Sequence, residues 1–186
     1  MASKKYIKDY TLVETEDTKG QLKKTAVYHG DYFNLNLEET EIKTLRWRFL
    51  LLFIATLALH VIAGSINNPG LYKIYVALPY TGAFFPLLFL AAGILRMPAE
   101  KRPYRNEEIG LSYKRIINMS RLYLIFMAAG LLGALIYLLI VARGLAIELE
   151  AIYIGLIAGA SFLIWLIYKR ANNIEISKEQ PALTNE

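Results

Sequence analysis

The chain has 186 residues, of which 55% are hydrophobic and 20% charged, and its formal net charge is +5. It contains no cysteine, which excludes disulfides, thiolate metal sites and thiol redox chemistry. The charged and hydrophobic residues are segregated along the chain, which is typical of an integral membrane protein rather than of a soluble domain. No nucleotide-binding loop, zinc motif or nucleophile constellation occurs in the sequence, so no cofactor, metal or catalytic residue is predicted.

Residues 1–37 are polar and predict a small β-hairpin or meander. Two stretches rich in Tyr, Thr and Val flank residues 16–20, where Gly20 permits a positive φ, and this pattern predicts a hairpin. A turn at residues 30–31 precedes an alternating stretch over residues 33–37, which predicts a third strand. Since so small a sheet is marginal alone, we expect it to lie against the middle loop, a sister subunit or a partner. A mostly solvated tail is the alternative.

Residues 38–170 contain four long runs with almost no charge. Each has about 18 residues or more, which is enough to cross a hydrocarbon core of about 30 Å as a helix. Backbone amides in lipid must be satisfied within their own segment, so the runs predict an all-α, four-helix transmembrane bundle. The spans are expected at about 49–66, 74–95, 122–142 and 151–168. The first helix is expected to begin in the polar segment, with Asn36 as its cap, and to continue into the span.

The loop between the second and third spans predicts an interfacial helix. Asn106 is the expected cap, and one apolar face of this helix is expected to lie on the inner leaflet. That face consists of Ile109, Tyr113, Ile116 and Ile117. The candidate contacts to anionic lipid headgroups are Arg102, Arg105, Lys114 and Arg115. Attraction to these headgroups accounts for the positive net charge, and no nucleic-acid partner is predicted.

Lysine and arginine are concentrated in the N-terminal segment, the middle loop and the tail. The other two loops contain only Lys73 and Arg143. This asymmetry predicts that both termini and the middle loop face the cytoplasm, most simply at the cell membrane. Trp47 and Tyr123 are expected near the inner boundary. Residues 171–186 are short and polar and are expected to be a disordered cytoplasmic tail.

Small residues recur at four-residue intervals in the third and fourth spans. The candidate helix-packing positions are Ala129, Gly133, Ala151, Gly155 and Gly159. Helices in lipid associate through close approach of such smooth faces. We expect the third and fourth spans to pack against each other through these residues. Dimerisation through the fourth span, which contains a GxxxG pair, is the alternative.

His60 and the second span form a candidate polar site. His60 lies about 9 Å of helix inside the outer end of the first span, and an ionisable residue there is a functional hypothesis by default. Pro79 and Pro86 free backbone carbonyls beside Tyr80 and Thr81, which predicts a small polar cavity or a hinge. We interpret His60 as a neutral side chain that ties the first two spans together by hydrogen bonds.

Two carboxylates, Glu148 and Glu150, flank the outer end of the fourth span. We interpret both as charges favoured by the positive end of a helix, with no further function. The spans then contain no charged residue that would relay a proton or bind a cation with His60.

Because the patterned polar residues lie outside the spans, the sequence favours a non-enzymatic, multi-pass membrane protein of accessory, assembly or scaffold type. It is expected to be a homo-oligomer or a subunit of a membrane complex, and to dock partners through its N-terminal segment and basic middle loop. The alternative is a small permease or channel-like transporter for a neutral or apolar solute, with a path past His60 and Pro86. A membrane-embedded enzyme is the least favoured hypothesis, because catalytic groups at compatible positions are missing.

Overall fold

The computed structural model describes residues 4–16, 22–142 and 145–178, and these residues are mostly helical. The strands are β1 (Tyr10–Glu16), β2 (Leu22–Tyr28), β3 (Tyr32–Leu35), β4 (Tyr104–Arg105) and β5 (Ile176–Lys178). The helices are α1 (Glu39–Ser65), α2 (Ile74–Gly82), α3 (Phe84–Leu95), α4 (Asn106–Leu111), α5 (Tyr113–Ile140) and α6 (Leu145–Asn172). Short 3₁₀ helices at Lys4–Asp9 and Pro69–Tyr72 precede β1 and α2.

The prediction of four membrane-spanning helices is confirmed by length and composition. Within the described residues, four helical stretches are long and apolar enough to cross a membrane: Glu39–Ser65, Ile74–Leu95, Asn106–Ile140 and Ala146–Asn172. α1 begins in the polar segment and continues into the first span, as expected. The chain therefore has the architecture of a multi-pass membrane protein.

The helices pack in the circular order α1, α6, α5 and α2–α3. α6 lies between α1 and α5, and α5 packs against both α2 and α3. α1 meets α3 along a shorter stretch than it meets α6. The five strands lie together at one end, which we call the sheet end. The other end, where Pro69–Tyr72 connects α1 with α2, is the turn end.

The second span is one stretch with a break between α2 and α3. Ala83, which separates the two helices, keeps helical backbone angles, with φ −69° and ψ −16°. Pro79 lies inside α2, whereas Pro86 lies in the first turn of α3, where a missing N–H is tolerated. The span therefore continues in one direction despite its two prolines.

The N-terminal hairpin is confirmed, but the prediction of a meander is wrong. β1 pairs antiparallel with β2, and Tyr10 lies opposite Tyr28. The predicted third strand forms as β3, yet it pairs with β4 on one side and β5 on the other. Phe33 thus lies opposite both Tyr104 and Lys178. The partners of β3 come from the middle loop and the C-terminal segment, which local alternation in the sequence does not reveal.

The prediction of a disordered tail at residues 171–186 is wrong for residues 171–178, which the structure describes. α6 extends to Asn172, and Ile176–Lys178 is the strand β5. Two apolar side chains, Ile174 and Ile176, pack against the core, and the Glu175 carbonyl accepts a hydrogen bond from the Asn36 N–H at 3.2 Å. These contacts order the segment; residues 179–186 lie outside the described part of the chain.

Two predicted helix starts are corrected. The cap of α1 is Glu38 rather than Asn36, and the Glu38 N–H donates to the Glu41 carboxylate at 3.0 Å. The Asn36 amide instead donates to the Glu175 carboxylate at 3.3 Å. In the middle loop the cap of α4 is Arg105, one residue before Asn106.

The separate interfacial helix of the middle loop is also wrong. α4 has six residues and ends at Leu111, and Ser112, with φ −111° and ψ −92°, breaks the helix before α5 begins at Tyr113. Ile109, Tyr113 and Ile116 are each 0% exposed, and Ile117 packs against the core. The amphipathic pattern was real, but this face packs against the protein itself rather than against a leaflet.

Candidate functional site

Aromatic side chains from three helices surround His60 in the interior of the bundle. The His60 ring stacks on the Tyr80 ring with 4.4 Å between centroids and an angle of 9° between planes. Phe84 meets the imidazole edge-on at 4.7 Å. The Tyr123 hydroxyl lies 3.3 Å from His60 Nδ1. His60 is 0% exposed, so α1, α2, α3 and α5 together enclose it.

The hydroxyl of Tyr80 joins α2 to the backbone of α1. It donates a hydrogen bond to the carbonyl oxygen of His60 at 2.8 Å. Gly64 lies one turn further along α1, and a Cβ there would collide with this hydroxyl. The missing side chain of Gly64 therefore lets the phenol of Tyr80 reach the backbone.

The imidazole has one polar contact and one unpaired nitrogen. In the neutral tautomer protonated at Nε2, Nδ1 accepts a hydrogen bond from Tyr123. His60 Nε2 is buried and has no hydrogen-bond partner among the described residues. Buried polar groups of this kind are uncommon, because leaving one unpaired costs free energy.

Glu150 lies buried at the turn end, and its interpretation as a simple helix-end charge is incomplete. The side chain is 0% exposed. It faces the turn that begins at Asn68, and a Cβ on Gly70 would collide with the Glu150 carboxylate. Asn68, which is 1% exposed, accepts a hydrogen bond from the Gly70 N–H at 2.9 Å. The carboxylate oxygens have no well-formed hydrogen bond within the described part of the chain.

Five buried polar residues follow one another from the turn end into the bundle. Tyr153 lies one turn after Glu150 on α6, and its ring centroid is 6.2 Å from that of Tyr80. Tyr80 in turn stacks on His60, which meets Tyr123. We call this set the polar string: Glu150, Tyr153, Tyr80, His60 and Tyr123. Sequence reasoning missed Glu150, Tyr153 and Tyr123 as members.

A periodic signal in α6 would have located Glu150 and Tyr153. Both residues lie on the same helical repeat as the buried positions of α6, which are Ile157, Ala160, Ile164, Ile167 and Ala171. A carboxylate on the buried stripe of a span is a stronger signal than its position near a helix end.

The residues predicted for a polar cavity separate into two groups. His60, Tyr80 and Pro86 are buried. Thr81 is exposed on the other side of α2, and its hydroxyl donates to the Ala77 carbonyl at 2.8 Å. Pro79 lies toward α5, 3.6 Å from where a Cβ on Gly130 would stand. The structure thus brings Tyr80, but not Thr81, to His60.

The predicted small packing residues also divide. A Cβ on Gly133 would lie 2.8 Å from the Tyr75 carbonyl oxygen, so Gly133 permits close approach of α5 and α2. Gly159 faces Leu59 of α1 at 3.5 Å. Ala129, Ala151 and Gly155 are exposed on the outside of the bundle. α5 and α6 do pack against each other, but not through these three positions.

Four basic residues predicted to contact lipid have partners within the protein. Arg102 forms an ion pair with Glu108, and this carboxylate raises the pKa of Arg102. The other three cations lie over aromatic rings: Arg105 over Tyr28 at 5.4 Å, Lys114 over Phe33 at 5.8 Å and Arg115 over Phe89 at 5.8 Å. Such contacts fix the middle loop and the start of α5 against β2, β3 and α3.

The base of the hairpin lies against α4, and its outer part is exposed. The Tyr28 hydroxyl accepts a hydrogen bond from the Asn106 N–H at 3.0 Å and donates to the Asp31 carbonyl at 2.8 Å. Further out, Leu12 is 69% exposed, Val13 43% and Val27 38%. Val13 and Val27 lie on one face of this two-stranded hairpin and Leu12 lies on the other, because side chains alternate along a strand. We call these three residues, which cover both faces, the apolar hairpin surface.

Comparison with known proteins found no matching family model, no similar curated protein and no similar solved structure. Among the described residues, no group of three or more His, Asp or Glu side chains is arranged to hold a metal ion.

Proposed function

We propose that the protein is a membrane-anchored docking subunit. The four spans hold it in the bilayer, and the hairpin and middle loop present a surface to a protein partner. The positive charge at the sheet end supports placing this end, with both termini, in the cytoplasm at the cell membrane. The protein then acts in the assembly of a membrane complex rather than in catalysis.

The apolar hairpin surface is the observation that carries this proposal. Leu12, Val13 and Val27 keep 38% to 69% of their surface exposed on a hairpin with two strands. A two-stranded hairpin is marginal in water, and its outer edges present backbone groups open to pairing with another chain. A protein partner that adds a strand at one edge and extends over both faces of the hairpin covers these side chains and supplies what the hairpin lacks.

The base of the hairpin supports the same function. Tyr28 and Tyr10 connect the strands to α4, where the Tyr10 hydroxyl donates to the Glu107 carboxylate at 3.2 Å. The hairpin is thus held at a defined place above the bundle while its outer part stays accessible. Such an arrangement presents a docking surface with less ordering cost than a free tail.

The experiment replaces the apolar hairpin surface by serine in the combined variant Leu12→Ser, Val13→Ser and Val27→Ser. Proximity labelling from the C-terminus in intact cells compares the neighbours of the variant with those of the unmodified protein. The control, Glu14→Gln with Lys24→Gln, removes an exposed cross-strand ion pair from the same hairpin. We expect that some of the proteins labelled beside the unmodified protein are also labelled beside the control but not beside the serine variant. An identical set of neighbours in all three proteins contradicts the proposal.

The polar string favours a second candidate, the small permease for a neutral solute. Buried ionisable residues such as His60 and Glu150 inside spans are often functional, and the string enters the bundle from the turn end. Osmotic swelling of proteoliposomes in glycerol tests this candidate. Swelling above that of empty liposomes, reduced by His60→Ala and by Pro86→Ala, supports it. Swelling that neither substitution changes contradicts it.

A further inference from the structure

A groove opens between α1 and α3 at the sheet end. Its volume is about 220 Å³. The residues that line it are Lys43, Arg46, Trp47, Leu50, Ile94, Leu95 and Ala99. We call it the α1–α3 groove.

The lining of the groove has a basic part and an apolar part. The charged residues of the lining, Lys43 and Arg46, are both cationic. Lys43 pairs with Glu39 of its own helix at 2.7 Å, and Arg46 makes a long contact of 3.4 Å with the Leu95 carbonyl oxygen. A guanidinium carries five N–H donors and an ammonium three, so both cations retain donors for an anionic ligand.

The groove lies where the charged part of α1 meets its apolar part. The last lysine or arginine of α1 is Arg48, and the run that follows it includes Leu50 of the groove. Trp47 is 65% exposed beside them. Tryptophan favours the headgroup level of a bilayer, so this exposed ring marks the boundary between headgroups and hydrocarbon.

We propose that the α1–α3 groove binds one anionic phospholipid of the leaflet at the sheet end. The phosphate oxygens accept charge-assisted hydrogen bonds from Arg46 and Lys43, and the start of an acyl chain lies along Leu50 and Leu95. The apolar part of the lining selects a lipid over free phosphate, because phosphate alone leaves this surface uncovered. The site is separate from Lys114 and Arg115, which lie over Phe33 and Phe89 and do not line the groove.

The two tryptophans of the chain allow a direct test. In the Trp165→Phe variant, Trp47 is the sole indole, and bromine atoms on a bound acyl chain quench its fluorescence. The protein is reconstituted in phosphatidylcholine vesicles that contain a minor fraction of either brominated phosphatidylglycerol or brominated phosphatidylcholine. We expect stronger quenching of Trp47 by the anionic lipid at the same mole fraction.

The substitutions Lys43→Gln and Arg46→Gln, made in the Trp165→Phe background, should remove this excess quenching. Each cation is expected to raise the local preference for the anionic lipid about fivefold. The matched control, Lys114→Gln with Arg115→Gln, removes the same charge from the first turn of α5. We expect the control to keep the excess, because its cations contact Phe33 and Phe89 rather than the groove.

Three results would overturn the proposal. The first is equal quenching of Trp47 by the two brominated lipids, and the second is equal loss of the excess in both double variants. The third is relief of quenching by inorganic phosphate in the buffer, which would assign the groove to a free anion. The apolar hairpin surface takes no part in this assay, so its result is independent of the docking function.

Discussion

The polar string and the hairpin distribute polar and apolar groups in opposite ways. His60 and Tyr123 lie inside the bundle with 0% exposure, although both carry polar atoms. Leu12, by contrast, is 69% exposed at the sheet end, although it is apolar. Both arrangements have a physical reason: interior polar groups join helices to one another, and exposed apolar groups on a hairpin beside the bundle favour contact with another molecule.

This comparison separates the stability of the bundle from its contacts with other molecules. The polar string connects α1, α2, α5 and α6, so substitutions there are expected to weaken the whole bundle. The outer hairpin contacts little besides itself, so its serine variant is expected to fold normally. If the hairpin serine variant destabilised the bundle more than substitutions in the polar string do, the two regions would not be independent.

The largest effect is expected for Tyr80→Ala. This change removes the ring stacked on His60 and the hydrogen bond to the α1 backbone, and leaves a cavity in the centre of the string. Truncation of a buried aromatic side chain costs about 3–5 kcal/mol. Equilibrium unfolding in mixed detergent micelles measures the free energy of unfolding of the variant and of the unmodified protein. The control is Leu78→Ala, on the exposed side of the same helix, which should change the free energy of unfolding little. If both variants lost the same free energy of unfolding, the buried contacts of Tyr80 would not be what stabilises the bundle.

A smaller effect is expected where α5 approaches α2. Gly133→Ala places a Cβ 2.8 Å from the Tyr75 carbonyl oxygen, so the two backbones must move apart. Overpacking of this kind costs about 1–3 kcal/mol. Gly155→Ala is the matched control, because a Cβ there meets nothing within 4 Å among the described residues. The same unfolding measurement should separate the two variants, and no difference between them would refute the close approach at Gly133.

The sequence alone was sufficient for the features that depend on local patterns. The charge-free runs predicted the spans, since lipid demands long apolar helices with internal hydrogen bonds. The turn at residues 16–20 predicted the hairpin, and the short connection between the first two spans predicted that His60 meets the second span, without selecting Tyr80 among its tyrosines.

The features that local patterns did not predict depend on contacts between distant parts of the chain. β3 needs Tyr104 and Ile176 from segments far along the chain, and nothing near Phe33 indicates them. Tyr123 is expected at the inner boundary because tyrosine is common there, yet α5 begins ten residues earlier, at Tyr113, and its packing in the bundle brings Tyr123 to His60. The position of a residue along the axis of a bundle depends on how whole helices pack, and local sequence patterns do not specify that packing.

A still smaller effect is expected for the hydrogen bond between Tyr123 and His60. Tyr123→Phe keeps the ring and removes only the hydroxyl. Side-chain hydrogen bonds inside membrane bundles contribute about 0.6 kcal/mol on average. A double-mutant cycle with His60→Leu tests whether this contribution arises from the pair. Additive losses in the cycle would mean that the two side chains stabilise the bundle separately.

The smallest effect concerns the base of the hairpin at high pH. Burial raises the pKa of Tyr28 above its ordinary value, with a further contribution from the nearby Asp9 carboxylate. The neutral phenol is the form that donates to the Asp31 carbonyl. The stabilisation that this hydrogen bond gives to the base of the hairpin is therefore complete below the ordinary tyrosine pKa of about 10. It is lost as the pH rises through the raised pKa of Tyr28.

Spin labelling measures this effect. The sequence contains no cysteine, so a Val13→Cys substitution creates a single site for a spin label, on the hairpin. We expect the mobility of the label to stay constant through neutral pH and to rise only above the ordinary tyrosine pKa. In Tyr28→Phe the label should be more mobile at neutral pH and should not respond to alkali in the same range. An identical alkaline rise in that variant would assign the effect to another tyrosine, since Tyr10 and Tyr32 lie beside Tyr28. The hairpin would then be anchored at its base by a contact other than the one between Tyr28 and α4.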